Sequence, residues 1–425
     1  MRVNESATRS ATIPIEVNGV TYRWPERPVV VVCNDGGDPD YLDAALKAGV
    51  VPHTARFMRL GFAATAQCVI PGFTCPNNVS IVTGSPPAVH GISGNFYLEP
   101  ESGRAVVMTG PELMRAPTVL ASFSRRGAKV ISITAKDKLR RQLGKDMDIA
   151  GGAINFSSEK ADRCSKDENG IANVLDLVGR PLPDMYSPDL SLFVLAAGVK
   201  LLEAQRPLLM YLSLTDFVQH TYAPGSPEAN RYYQDIDAFL GRLDALGAVV
   251  GIVSDHGMRE KANPDGSLKV VWLQDELDRA FGAGTTEVIC PITDYFVAHH
   301  GSLGSFVRVY CRSAEADAVM RLARALPGIE AVHDKAAAAR AFDLPLDREG
   351  DVVVISDAQT CIGTTPAAHD LEALAGHTLR THGGFSESRV PFILNRPLNA
   401  AYAARAAHAA LRNFHMFDFA INGTA

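Results

Sequence analysis

The chain has 425 residues, 47% hydrophobic and 21% charged, with a formal net charge of −6. That is ordinary globular composition for one large α/β enzyme or two to three domains. It excludes a strongly basic surface, so nucleic acid and anionic membranes are not expected as main partners.

The N-terminal stretch, MRVNESATRSATIPIEV, lacks the apolar centre of a signal peptide. No apolar run approaches the ~20 residues needed to span a bilayer. Seven cysteines without a CxxC pair do not form a disulfide framework, and a reduced, cytoplasmic setting is expected.

The first element is a buried-strand pattern, PVVVVCNDGGD (28–38), which stops at Asn34-Asp35-Gly36. A helical stretch, DYLDAALKAG, follows. GFTCPNNVSIVTG (72–84) opens on a flexible residue and places the Thr74 hydroxyl just before Cys75-Pro76, at the expected start of a helix. Thr74 there can be a helix cap, a nucleophile, or both. HGISGN ends at Asn95, and the helical APTVLASFSRRG precedes the strand AKVISITAKDK (128–138), which stops at Lys136 and Lys138. PLLMYLSLTD (207–216) stops at Asp216, with His220 four residues on. GAVVGIVSDHGM (247–258) stops at Asp255-His256-Gly257.

Residues 259–372 read differently, with Gly- and Asp-rich turns, a strand-like SFVRVYC and an Ala-rich helix, AEADAVMRLARAL. They are expected to form an inserted cap on a core of 1–258 and 373–425. TLRTHGGFSESRVPFIL (378–394) returns to the core pattern, and AYAARAAHAALRNFHMF reads as a final structural helix.

Apolar strands alternating with helices predict an α/β fold with a mainly parallel sheet covered on both faces. Ligands in such sheets bind beyond the carboxyl ends of the strands, so the polar stops are expected on one rim. Asp216 and His220 share a helix face at i,i+4. Asp255 and His256 end a strand before Gly257, where tight backbone geometry is easy. Asp35 ends the first strand, and His382 precedes Gly383-Gly384. Three carboxylates and three imidazoles suffice, with one hydroxyl, for two metal ions. The ligand types suit zinc and also admit manganese or iron. His377 competes with His382 for the last position, and the Gly-Gly context favours His382.

The segment FTCPNNVSIVTGSPPAVHGISGN resembles the nucleophile region of the alkaline phosphatase superfamily, in its nucleotide pyrophosphatase/phosphodiesterase-like branch. TDFVQH, SDHGM and THGG resemble that branch's metal-binding segments, in the same order, from Asp35 to His382. The resemblance implies the alkaline-phosphatase-like fold and two zinc ions, one held by Asp216, His220 and His382, the other by Asp35, Asp255, His256 and Thr74. It implies Thr74 as nucleophile and Asn95 as a contact to phosphoryl oxygens. Within the branch, FTxPNN and ITAKDK resemble the phosphonoacetate-hydrolase group. There Lys136 and Lys138 match paired lysines that hold the acidic groups of a small phosphonate. C–P cleavage through a phosphothreonine is then expected, with a phosphodiesterase using the same metals as the alternative. The Cys/Ser-x-Pro-x-Arg context of sulfatases is absent, since Cys75 is followed by Pro76-Asn77. A homodimer is expected, as is common for such enzymes.

Overall fold

The computed structural model describes residues 13–99, 102–293, 301–372 and 378–424. Seven strands form the central sheet in the order Phe62–Gln67, Arg389–Leu394, Val249–Val253, Val29–Cys33, Leu209–Ser213, Val130–Thr134, Ile154–Ser157. Only Arg389–Leu394 runs against its neighbours. The expectation of a mainly parallel sheet with helices on both faces is met. Val29–Cys33, Leu209–Ser213 and Val130–Thr134 are buried at every position. That is why they read as continuous apolar runs rather than alternating ones.

Register decides where the polar stops fall. Cys33 lies beside Ser213 and Val253, and Ser213 beside Thr134. Four strands therefore end at one level, and the next few residues of each carry Asp35, Lys136, Asp216, or Asp255 and His256 onto one rim.

Helices flank the sheet. Asp38 caps Pro39–Lys47 by accepting from Asp40 N at 3.0 Å, and Thr118 caps Val119–Ser124 by accepting from Ala121 N at 2.9 Å. Pro227–Ala245 presents its apolar side, including Tyr232, Ile236 and Leu240, to the core formed with Asp189–Gln205.

A second sheet is antiparallel throughout, in the order Thr286–Ile289, Phe306–Cys311, Val352–Ser356, Ile329–Asp334. With helices Leu273–Phe281 and Ala316–Ala325 it encloses a hydrophobic cluster that includes Leu277, Val309, Val319 and Val353. Arg259–Glu260 pairs with Arg380–Thr381, so the chain leaves and rejoins the main layer side by side.

The last segment differs from the expected single helix. Helix Ala400–His408 buries none of its residues and ends at Ala409. The chain then extends, and the Leu411 carbonyl accepts from Gln67 N at 2.9 Å. Asn413 turns inward and donates to Asn77 Oδ1 at 2.8 Å. Only Tyr402 and Ala406 of this Ala-rich helix pack on the core, which leaves its end little to hold it helical against these long-range bonds.

Among the described residues, no helix is long and apolar enough to cross a membrane.

Candidate active site

Thr74 opens helix Thr74–Thr83, whose other residues are all buried. Phe73, in an extended conformation, is the N-cap and makes no side-chain capping bond. The expectation that Thr74 caps this helix is therefore corrected: it is the first helical residue. Its side chain is released from capping and lies 3.3 Å from His256 Nε2. A helix start favours negative charge, so an alkoxide or phosphoryl oxygen is stabilised there.

Asp216 and His220 follow the Leu209–Ser213 strand in a short helix, Phe217–Thr221, with His220 Nε2 2.9 Å from Asp216 Oδ2. His382 Nε2 lies 3.8 Å from the same oxygen. Asp216, His220 and His382 bring ligand atoms within 4.8 Å of one another, and so do Asp35, Asp216 and His256. Asp216 thus borders both groups. Asp255 stands at the edge of the second, its Oδ2 3.8 Å from His256 Nε2. It accepts from Gly36 N at 3.2 Å and Asn78 Nδ2 at 3.1 Å. Gly257 is required by close approach, because a Cβ there would sit 2.4 Å from Asp38 Oδ2.

All three imidazoles are oriented alike. Nδ1 of His220, His256 and His382 lies against the carbonyls of Arg380 (2.6 Å), Gly257 (2.9 Å) and Gly72 (2.6 Å). A proton on each Nδ1 satisfies these carbonyls and leaves each Nε2 lone pair facing the carboxylates. This is the arrangement by which metal-ligating histidines are held. The buried Oδ1 of Asp35 has no hydrogen-bond donor in good geometry and faces His256 Nε2 at 3.3 Å.

Without a metal, the same carboxylates act on protons instead. Burial, then the charges of Asp216 and Asp255, push the Asp35 carboxyl well above its usual range. Burial opposes a charge on His256, but Asp255 and Asp35 outweigh it and raise its imidazole to about 10. Burial and the neighbouring His256 and His220 hold His382 well below the usual histidine range. Carboxylates this crowded need compensating positive charge, and divalent cations supply it. The donor set fits a metal.

Lys136 Nζ lies 3.8 Å from Asp216 Oδ1, with its side chain 11% exposed. It also lines a cavity of about 170 Å³ with Thr109, Gly110, Lys138 and Arg141. The paired lysines thus share one cavity, which Asp137 and Glu159 also line, and Lys136 links it to Asp216. Asn95 is buried, and its Nδ2 donates to Ile292 O at 3.2 Å, while its Oδ1 has no hydrogen bond. His377 lies outside the described residues.

Two residues escaped the sequence reading. Asn78, one turn beyond Thr74, donates to Thr74 O and Asp255 Oδ2, each at 3.1 Å. It accepts from Tyr211 Oη at 2.7 Å and Ser213 Oγ at 2.8 Å. It ties the Thr74 turn to the Leu209–Ser213 strand and to Asp255, and the signal was its i+4 spacing from Thr74. Asp137, between the two lysines, accepts from Arg140 Nε (2.7 Å), Ser157 Oγ (2.9 Å) and Lys160 Nζ (3.0 Å). Burial works against its charge, yet these donors lower its carboxyl below the usual range. Its i,i+3 spacing to Arg140 was the local signal, while Ser157 and Lys160 come from a neighbouring strand end.

Residues 29–384 match the family model for type I phosphodiesterase/nucleotide pyrophosphatase. The chain belongs to this family. Its fold superposes on the crystal structure of phosphonoacetate hydrolase from Sinorhizobium meliloti 1021 in complex with phosphonoformate. The TM-score is 0.92 and the identity 47%, over 97% of this chain and 100% of that one. The same enzyme in complex with phosphonoacetate gives a TM-score of 0.91. Murine ectonucleotide pyrophosphatase/phosphodiesterase 5, in complex with AMP, shares the fold at 19% identity and a TM-score of 0.62, over 94% of this chain and 96% of that one. An uncharacterized pyrophosphatase/phosphodiesterase of Schizosaccharomyces pombe is 27% identical over 268 residues, 58% of this chain and 47% of that protein's length.

Proposed function

We propose that this protein hydrolyses the carbon–phosphorus bond of phosphonoacetate, giving acetate and phosphate. The observation that carries the reading is the cavity lined by Lys136 and Lys138, which Lys136 links to the carboxylate–imidazole cluster at Thr74. The full-length match at 47% identity to the S. meliloti enzyme supports it.

In this reading Asp216, His220 and His382 hold one zinc, and Asp35, Asp255, His256 and Thr74 hold a second. When bound, the ions supply positive charge that acidifies the Thr74 hydroxyl and offsets charge on the phosphoryl group. Thr74 Oγ1 attacks phosphorus as the P–C bond breaks. The electron pair passes to the methylene carbon and is shared with the carboxylate, which Lys136 and Lys138 stabilise as ammonium groups. Protonation from water gives acetate. A water molecule then attacks the phosphothreonine, its oxygen joins phosphorus, and Thr74 regains its proton as phosphate leaves. The amide of Asn95 turns toward the phosphoryl oxygens. Residues 259–372 serve as a cap over the core of 1–258 and 373–425. The chain works in the cytoplasm, a reading supported by seven free cysteines, and as a homodimer.

The family model favours a second reading, a nucleotide pyrophosphatase or phosphodiesterase on the same residues. The paired lysines favour the first, since two ammonium groups suit a small acidic dianion, whereas a phosphodiester needs room for two organic groups. Phosphate release from phosphonoacetate by the zinc-loaded protein, beside cleavage of bis-p-nitrophenyl phosphate and p-nitrophenyl phosphate, tests both. Equimolar acetate and phosphate with weak ester cleavage is expected. Fast diester cleavage without phosphonoacetate turnover would transfer the protein to the second reading.

A further inference from the structure

We propose that Lys261 and Glu387 form a buried brace that sets the spacing of the His256 and His382 imidazoles, and thereby the affinity of the site for divalent metal. The inference rests on the metal reading above, and neither residue belongs to the ligand set.

Both side chains are fully buried, with Lys261 Nζ 2.8 Å from Glu387 Oε1. Two charges removed from water cost several kcal/mol each in effective terms, and a hydrophobic pair of similar volume is often as stable or more so. Stability alone gives no reason for the pair.

Its connections give one. Glu387 Oε2 accepts from Gly384 N at 2.9 Å, two residues beyond His382. The main-chain carbonyl of Glu387 accepts from Gly257 N at 2.6 Å, one residue beyond His256. One residue therefore hooks both histidine segments, and the two rings lie stacked with centroids 3.5 Å apart and planes 8° from parallel. Gly383 between the hook and His382 has φ of +126°, a conformation that glycine adopts readily and other residues rarely. Ser305 N holds the His382 carbonyl at 3.0 Å and Gly72 N the Gly383 carbonyl at 3.2 Å, and Glu387 adds the anchor on the Gly384 side. Lys261 keeps that anchor in place, and it also donates to the carbonyl of Ala358 at 3.1 Å, beyond the Val352–Ser356 strand of the antiparallel sheet. The brace thus fastens the histidine segments to the second layer.

The test uses the full chain and three changes: Glu387→Gln, Glu387→Ala, and the double change Lys261→Met with Glu387→Met. Zinc affinity is measured by competition with a chromogenic chelator, and thermal unfolding is followed on the metal-free protein. Loss of an outer partner of a metal ligand typically weakens metal binding about 10- to 100-fold. That loss is expected for Glu387→Ala and for the double variant. Glu387→Gln retains an acceptor for Gly384 and is expected to recover most of the affinity. The double variant, free of buried charge, is expected to melt no lower than the parent. If Glu387→Ala fails to fold, the double variant carries the test. A folded double variant with parental zinc affinity would overturn the brace. So would a double variant that does not fold, because the fold and not the site would then require the pair. A folded parent that binds no zinc would overturn the metal reading itself, and the brace with it.

Discussion

Replacing Lys136 by methionine keeps most of the side-chain volume and removes its charge. Lys136 Nζ stands 3.8 Å from Asp216 Oδ1, and the side chain is 11% exposed. A unit charge at that distance interacts with another by about 4 kcal/mol at an effective dielectric constant of ~20. A substrate carboxylate in the lysine cavity, gaining charge as the P–C bond breaks, is placed to feel a comparable field. Water in the cavity reduces it, so about 2–4 kcal/mol of transition-state stabilisation is expected to disappear. That corresponds to a loss of roughly 30- to 1,000-fold in kcat/KM. The assay is phosphate release from phosphonoacetate, with bis-p-nitrophenyl phosphate run on the same preparation. The aryl leaving group carries no carboxylate and needs no carbanion stabilised, so its loss is expected to be much smaller. Equal losses on both substrates would refute the role given to Lys136 and reduce it to a counter-charge for Asp216.

Three other outcomes are expected. Thr74→Ala should abolish turnover while bound zinc, measured by atomic absorption, stays near the parental content; normal turnover would sink the nucleophile assignment. Burial lowers the His90 imidazole to about 3, so the folded chain stays unprotonated where the unfolded chain, near the usual ~6.5, takes up a proton. Stability is therefore complete above about pH 6.5 and falls as pH drops toward 3, by ~2 kcal/mol at pH 5 from this group. Urea unfolding at pH 7 and pH 5 should show a smaller decrease for His90→Gln than for the parent, and identical decreases would contradict the reasoning. Arg308 and Glu349 are both fully buried and joined by two bonds, Nε–Oε2 at 2.7 Å and Nη2–Oε1 at 2.6 Å. Arg308→Met should cost ~3–5 kcal/mol by stranding Glu349, and adding Glu349→Leu should restore most of it. A melting temperature unchanged by the single substitution would show the pair to be dispensable.

Much of the site was legible in the sequence because its residues follow directly on strand ends. A continuous apolar run announces a strand buried on both faces, and parallel register then carries Asp35, Lys136, Asp216 and Asp255 to one rim without further information. The i,i+4 relation of Asp216 and His220 is local as well. What the sequence did not determine depends on contacts between distant segments. The position of Asp216 between two groups of ligand atoms depends on strands 29–33, 209–213 and 249–253 lying side by side. The release of Thr74 from capping depends on Phe73 taking the extended conformation before the helix. The break after His408 depends on Gln67 and Asn77 recruiting Leu411 and Asn413 across more than 300 residues. The common orientation of three imidazoles depends on carbonyls of Gly72, Gly257 and Arg380, which every residue type supplies and no side-chain pattern can advertise. Side-chain chemistry and its periodicity are written along the chain. The partners of backbone groups are chosen only when the chain folds, because each carbonyl is chemically like every other until packing gives it a neighbour.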